Sequence, residues 1–505
     1  MLSFSAHTRA ANLARMAEGG FDVLVIGGGI TGVGIALDAA ARGFSVALVE
    51  KDDFASGTSG RSSRLIHGGF RYLEHREFGL VHEALRERKI LLRLAPHLVR
   101  PVSMYLLADS PQSRALYRLG LVGYDLLAAG GNVGLHRSVR AEQIREAVPG
   151  FGGWSRGFRH FECQADDARL TIEVARAAHA CGAVLANHAR VEGLLGGARV
   201  EGAAVVDEMT GHRFEIRARA TVNASGVWAD RVRALAAAAA SARLVPSKGV
   251  HVVFAPGAVR TKVGVVAPSA AHDGRFVFLI PWEDRVYAGT TDTPYSGHLE
   301  DPAVDDADRD YIVSAVAQYF PAVTGRDVVA SWAGLRPLLS REQAPADVRT
   351  RDLSRKHAVS EDPPGLFTIT GGKLTTYRAM AEDLVDRLAG ALGAAGPCRT
   401  RRIPLGLHGS AGEALRLATA EVARLGLSPQ AGVRLVQRYG DDWREAVRMI
   451  GEERSLGEPA VAGLTVLNVE LQLARSREMA LTDEDIFVRR TRLSARDASV
   501  QLPAG

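Results

Sequence analysis

The sequence predicts an α/β chain with an added α-helical part: a Rossmann-type nucleotide-binding domain, a mixed or antiparallel-sheet domain over it, and a C-terminal helical domain. Three observations predict this. A strand, a glycine-rich turn, a helix of small residues and a second strand follow one another within residues 22–50. Between Lys248 and Thr293, strand-like runs succeed one another with no helical pattern between them. Beyond Pro404 the periodicity is helical.

Taken in order, the apolar run 22–26 reads as a buried strand that ends at Gly27-Gly-Gly-Ile-Thr-Gly32. Residues 33–42 read as a helix stopped by Gly43, and 45–49 as a second strand closed by Glu50. A polar, Gly/Ser-rich stretch covers 56–69. A long helix is predicted over 78–94, ended by Pro96 and Pro101. Residues 102–165 are mixed, with turns at Gly130-Gly131 and Pro149-Gly150. A helix over 171–180 precedes strands near 184–186, 191–195, 203–207, 214–219 and 220–224. The β-branched runs 251–254, 263–266, 276–280 and 286–288 form the second sheet. The strand 366–370 leads into Gly371-Gly372 and a helix over 374–391. After a linker marked by Pro397 and Pro404, helices are predicted at 411–425, 431–439, 443–451, 466–479 and 483–491, the last opened by a Thr482-x-x-Asp485 capping box. This order divides the chain into a discontinuous nucleotide-binding domain (20–100, 165–245, 330–392), a substrate domain (101–164, 246–329) and a helical cap (398–505).

Bulk properties agree. At 505 residues the chain exceeds one hydrophobic core. Its 47% hydrophobic and 24% charged residues are ordinary for a globular protein. A net charge of +5 without basic clustering argues against nucleic acid as a partner. Cys163, Cys181 and Cys398 form no CxxC pair, so iron–sulfur, structural zinc and disulfide frameworks are not expected, and no metal site is read. The start of the chain has no apolar stretch of signal-peptide length, and 234–240 is too short to span a bilayer. The expectation is a cytosolic protein, soluble or bound to a membrane surface.

The first chemical motif is Gly27-x-Gly29-x-x-Gly32, with Glu50 placed 18 residues beyond Gly32. Gly27 allows the tight turn, Gly29 admits a pyrophosphate to the backbone, and Gly32 lets helix and strand pack closely. The helix amides and dipole face the phosphates, and Glu50 accepts the ribose hydroxyls. This unit alone does not separate FAD from NAD. A single copy, followed by the hydroxyl-rich 58–63 (Thr58, Ser59, Ser62 and Ser63), favours the longer cofactor, FAD.

Several stretches carry a family resemblance: VIGGGITGVGIALDAAARG (25–43), LIHGGFRYLEH (65–75), DDARL (166–170), NASGVW (223–228), KGVHVV (248–253), IPW (280–282), AGTTDT (288–293), GLRPL (334–338), TGGKLTTYR (370–378) and EMALTDEDIFVRRTRL (478–493). The chain resembles the FAD-dependent, respiratory glycerol-3-phosphate dehydrogenases over nearly its whole length. It departs from them at Ser59-Gly60, where the family often has Ser-Ser, and matches only loosely over 461–473.

The resemblance implies hydride transfer from C2 of sn-glycerol 3-phosphate to flavin, giving dihydroxyacetone phosphate, with electrons passed on to a membrane quinone. It implies attachment to the inner face of the cell membrane, with the helix 78–94 as a candidate contact, and leaves a homodimer open. Phosphate binding falls to Arg71, Arg336 and Lys373, with Tyr72 as a neutral donor and Thr291 in the surrounding shell. His251 is the preferred base, Arg336 shares in stabilising the alkoxide, and His67 is a second candidate base that fits better against the flavin. Further cofactor contacts are expected from Gly68, Gly69, Ala224, Gly226, Gly371, Gly372, Lys373, Leu374 and Thr375, and at the adenine end from Arg190 and Val191. An oxidase that uses O2 on the same substrate, an amine or amino-acid oxidase of the same superfamily, and a non-catalytic FAD-binding module are the alternatives.

Overall fold

The computed structural model describes residues 4–69, 77–108, 110–128, 130–153, 156–236, 244–269, 275–339, 357–393 and 395–496. Two sheets and a helical layer organise the chain. The first sheet has a parallel centre in the order Leu366–Thr370, Arg213–Asn223, Gly20–Ile26, Val46–Val49 and Val184–Ala186, with Ala358–Glu361 antiparallel at one edge. An antiparallel meander, Ala189–Gly196 and Val200–Asp207, extends from Arg213–Asn223. Residues 23–26 and Val46–Val49 are apolar and buried, as strands covered on both faces require, whereas Arg213–Asn223 alternates exposed polar and buried apolar residues before its buried end. The helix Ile30–Ala41 packs on the sheet beside the helices Asp167–Ala180 and Tyr377–Leu392, and buries Val33, Ile35, Ala36, Leu37 and Ala39.

The second sheet runs Thr293–Pro294, Leu244–Phe254, Arg285–Gly289, Phe276–Trp282, Gly264–Pro268, Arg100–Leu107, Arg156–Gln164 and Leu65–Ile66, with Arg137–Arg140 also paired to Arg156–Gln164. Its neighbours are antiparallel except Gly264–Pro268 beside Arg100–Leu107. The strand Val328–Leu339 pairs with Leu244–Phe254 along its length. Its pairing therefore lies in the second sheet, although the sequence division places 330–392 with the nucleotide-binding part. Residues 213–223 form one strand instead of two.

The helices Ala411–Arg424, Pro429–Tyr439, Trp443–Glu452 and Asn468–Glu478 share their own core around Leu435, Trp443 and Leu473. The predicted capping box is present. Asp485 N donates to Thr482 Oγ1 at 3.1 Å, and Thr482 N donates to Asp485 Oδ2 at 3.0 Å. The turn that follows, Asp485–Arg490, is a π-helix. Helices also stand where none was predicted, among them Ala6–Glu18, Pro111–Leu127 and Asp306–Ala317.

Candidate functional site

A cavity of about 620 Å³ opens where strands of the first sheet end. Gly27 takes φ +116°, and a Cβ there would lie 2.6 Å from the Ala224 carbonyl oxygen. A Cβ on Gly32 would lie 1.9 Å from the Gly27 oxygen, so the turn closes only with glycine at both positions. The helix Ile30–Ala41 begins at the cavity, and Ile30 N donates to Ser59 Oγ at 2.9 Å. Buried Glu50 accepts from Gly28 N at 2.6 Å and Asp52 N at 3.0 Å. Burial raises its carboxyl pKa, and those two amides oppose the shift.

Of the residues expected to hold the cofactor, Gly27, Gly29, Glu50, Thr58, Ser59, Arg190, Val191, Ala224, Gly226, Gly371, Gly372, Lys373 and Leu374 line this cavity. Arg190 stands at its edge, paired with Glu208. Gly32 packs beneath the turn. Ser62, Ser63, His67, Gly68, Gly69 and Thr375 lie off its wall. Ser62 N donates to Asp167 Oδ2 at 2.8 Å. His67 N donates to Thr375 Oγ1 at 3.1 Å, and Gly68 N to the Tyr124 hydroxyl at 3.0 Å. Gly69 takes φ +76°. Arg71 and Tyr72 lie outside the described residues. The wall also contains His188, Trp228 and Arg231, which sequence reasoning missed. Trp228 closes the NASGVW stretch, though no contact was assigned to it, and His188 and Arg231 reach the cavity from a bend and a short helix outside any motif.

The second sheet meets this cavity along Val328–Leu339, since Pro337 lines the cavity and Thr58 Oγ1 donates to Leu335 O at 2.6 Å. His251 pairs across the sheet with Gly289 on one side and Trp332 on the other. Its ring is buried, stacks on Trp332 at 4.9 Å and 12°, and holds Nε2 2.9 Å from Ser63 Oγ. Burial, with Arg336 and Arg64 nearby, pushes its pKa down to about 3, so the imidazole is neutral at physiological pH. Arg336 Nη2 donates to Thr290 Oγ1 at 3.0 Å and to Thr291 O at 3.2 Å, while Nη1 lies 3.5 Å from Asp292 Oδ1. The Thr291 hydroxyl accepts from Val250 N at 3.0 Å, tying it to the strand. Strand pairing and the two Thr291 hydrogen bonds group His251, Arg336 and Thr291, which lie off the cavity wall, whereas Lys373 stands on it.

A family model described as FAD dependent oxidoreductase matches residues 22–387, and one described as the C-terminal domain of alpha-glycerophosphate oxidase matches 398–504. Glycerol-3-phosphate dehydrogenase 2 of Mycobacterium tuberculosis is 40% identical over 96% of this chain and 83% of its own length. The chain belongs to the FAD-dependent glycerol-3-phosphate dehydrogenases. Aerobic glycerol-3-phosphate dehydrogenase of Bacillus subtilis is 36% identical over 97% of this chain and 90% of its own length. The solved structure of a glycerol-3-phosphate dehydrogenase from Bacillus halodurans complexed with FAD superposes with a TM-score of 0.80 at 33% identity, covering 98% of this chain and 91% of that one.

FAD suits this dehydrogenase's cavity. The glycine cradle leaves the space that side chains would fill, the helix Ile30–Ala41 begins at the cavity with its N-terminal end, which favours a phosphate, and Glu50 is an acceptor set beside it. Asp53, His188 and Asp485 gather closely enough to suggest a cation site. Arg489 and Arg490 already donate to the Asp53 carboxylate at 2.6–2.8 Å, so the group is an ion-pair cluster.

Proposed function

We propose that this enzyme oxidises sn-glycerol 3-phosphate to dihydroxyacetone phosphate and passes the electrons to a membrane quinone. The observation that carries the reading is the placement of neutral His251 and cationic Arg336 on two paired strands, of which that of Arg336 reaches the cavity at Pro337. Bound FAD supplies the hydride acceptor. His251 Nε2, which Ser63 Oγ now meets at 2.9 Å, is assigned as acceptor of the C2 hydroxyl proton; with its pKa at about 3 it is a weak base until the bound phosphate offsets the nearby Arg336 and Arg64 charges. The Arg336 guanidinium, oriented by Thr290, Thr291 and Asp292, pairs with phosphate or developing alkoxide. Lys373 adds a cation from the opposite motif, and Arg71 and Tyr72 are assigned to the phosphate from the family resemblance.

Anaerobic mixing of flavin-loaded protein with glycerol 3-phosphate should bleach the oxidised flavin band near about 450 nm. Unbleached flavin at saturating substrate would reject the substrate assignment. The electron acceptor is tested separately by comparing peroxide release in air with quinone reduction. Fast stoichiometric peroxide would favour the oxidase reading suggested by the C-terminal family model.

A quinone acceptor requires contact with a bilayer. Among the described residues no helix is long and apolar enough to cross a membrane. The helix Pro111–Leu127 instead exposes Leu116, Leu119, Val122 and Leu126 along one face, with Arg114 and Arg118 on the same helix. Apolar side chains with flanking arginines suit an anionic membrane interface. The exposed charges of the helix Phe78–Leu94 suit it less, since Arg88 is buried against Glu162.

A further inference from the structure

Arg64 is a buried cation to which the reaction above gives no part. It is only 2% exposed, and among the described residues it makes no ion pair. Its Nε and Nη1 are buried without a hydrogen-bond partner. Its guanidinium carbon lies 3.9 Å from the Trp282 ring centre, 4.5 Å from Trp332 and 5.7 Å from Tyr287. Asp166 and Asp167 attract it from beyond ion-pair distance, and the aromatic faces offset part of the remaining cost of burying the charge. An apolar residue of similar size would satisfy packing alone.

The position of the cation suggests a role. Trp332, which receives Arg64, also stacks on His251. The neighbouring Ser63 hydroxyl meets His251 Nε2, and Ser63 O accepts from the Tyr287 hydroxyl at 2.9 Å. Ser62 O accepts from Trp332 Nε1 at 3.3 Å. The loop carrying Arg64 and the strand carrying His251 are therefore joined through one indole. The charged and titratable groups facing the imidazole are Arg64, Tyr287 and Arg336, with Asp292 behind Arg336. Lys248, on the His251 strand, is paired with Asp305 and Asp308.

We propose that Arg64 is a positioning residue for the reaction: through the Trp332 ring it shares with His251, it keeps the imidazole neutral, in one tautomer, with Nε2 on the Ser63 hydroxyl. The proposal rests on the reading of His251 as proton acceptor. Arg64 acts by two routes. Its bulk fixes the indole against which the imidazole lies, and its charge holds Nε2 unprotonated before substrate binds, at the cost of a lower proton affinity.

The test uses the full flavin-loaded chain with isotope-labelled histidine, the His251 signals being identified by their loss in His251→Asn. Ring-nitrogen shifts of the wild type should report one neutral tautomer, with no titration from pH 8 to about pH 4. In Arg64→Met the tautomers should mix and the titration midpoint rise by about one unit or more. Arg64→Lys should restore part of the wild-type behaviour because the charge remains. The acid limb of the flavin-bleaching rate should move by the same amount. Unchanged His251 signals in folded Arg64→Met overturn the proposal. Signals that change while the rate profile stays fixed overturn the underlying reading of His251 as acceptor. If Arg64→Met does not load flavin, Trp332→Leu removes the shared ring and must give the same change in the His251 signals; absence of that change also overturns the proposal.

Discussion

Arg336 shows how one side chain can be held ready for an anion. Its guanidinium is oriented by the Thr290 hydroxyl and the Thr291 carbonyl, and a carboxylate oxygen of Asp292 lies 3.5 Å from Nη1. A phosphomonoester within reach of the guanidinium would add charge-assisted hydrogen bonds, each stronger than a neutral one. Arg336→Ala should therefore raise KM for glycerol 3-phosphate by about thirty- to a hundredfold, with a smaller effect on kcat. Steady-state kinetics with a dye acceptor check this, and an unchanged KM removes Arg336 from the phosphate site. Gly249 provides a gentler control. A Cβ there would lie 2.4 Å from Arg336 Nη2 and 2.7 Å from Thr290 Oγ1, so Gly249→Ala should displace the guanidinium without removing its charge. Its KM should rise in the same direction by about tenfold. The residue types at the cavity were largely legible in the sequence, because the glycines and Glu50 act through the backbone of one local motif. His188 and Arg231 were not, since only the folding of distant segments brings them to the wall.

Legibility at the level of elements follows how each element gains its stability. The strands of both sheets and the helix Phe78–Leu94 bury apolar faces whose periodicity is plain in the sequence. The helix Ala6–Glu18 buries Thr8, Arg9 and Asn12 beside Met16, and secures them by hydrogen bonds. Arg9 donates to Asn187 O, His188 O and Asp207, and Asn12 Nδ2 donates to Leu185 O. A polar buried face gives no hydrophobic period to read. The seam between Phe78–Leu94 and the C-terminal helices also holds a titratable group that sequence alone does not mark. His97 is buried, neither ring nitrogen has a hydrogen-bond partner, and a Cβ at Gly406 or Gly440 would lie within 3.4 Å of its Nε2. Burial pushes its pKa from 6.5 down to about 4. A base with a depressed folded pKa takes up its proton more readily when unfolded, so stability falls as pH drops from 6.5 toward 4. The full effect is about 3 kcal/mol. His160 and His251 are depressed in the same direction, so the difference between wild type and a variant isolates His97. Urea unfolding midpoints should decline less steeply from pH 7 to pH 4.5 in His97→Leu than in wild type. Parallel declines would show that His97 does not contribute.

At the scale of the whole molecule, the helical C-terminal part is joined to the two sheets through charge. Arg490 and Arg489 converge on Asp53, and Arg492 pairs with Asp166 and Asp167 while donating to Gly60 O at 2.8 Å. Arg169 pairs with Glu478, and Arg496 with Glu283 and Asp284. Buried pairs of this kind add little stability over apolar packing, but breaking one strands a charge, so they select one docking geometry. Asp167 also accepts from Ser62 N, so the same contacts brace the loop that holds Ser63 against His251. That bracing leaves the apolar stripe of Pro111–Leu127 uncovered. Leu119 is 73% exposed and Leu126 76%, far more than burial-driven folding would leave on a helix without a partner surface. If the stripe meets the bilayer, its removal should separate binding from chemistry. The double variant Leu119→Asp/Leu126→Asp should fold, load flavin and reduce a soluble dye at the wild-type rate, because neither side chain lines the cavity. It should lose sedimentation with vesicles containing anionic lipid, and its quinone-dependent rate in those vesicles should fall by about tenfold or more. Raising salt should weaken wild-type binding further through the nearby arginines. Wild-type vesicle binding by the double variant would place the membrane contact elsewhere. Loss of vesicle binding with an unchanged quinone rate would show that electron transfer does not depend on this face.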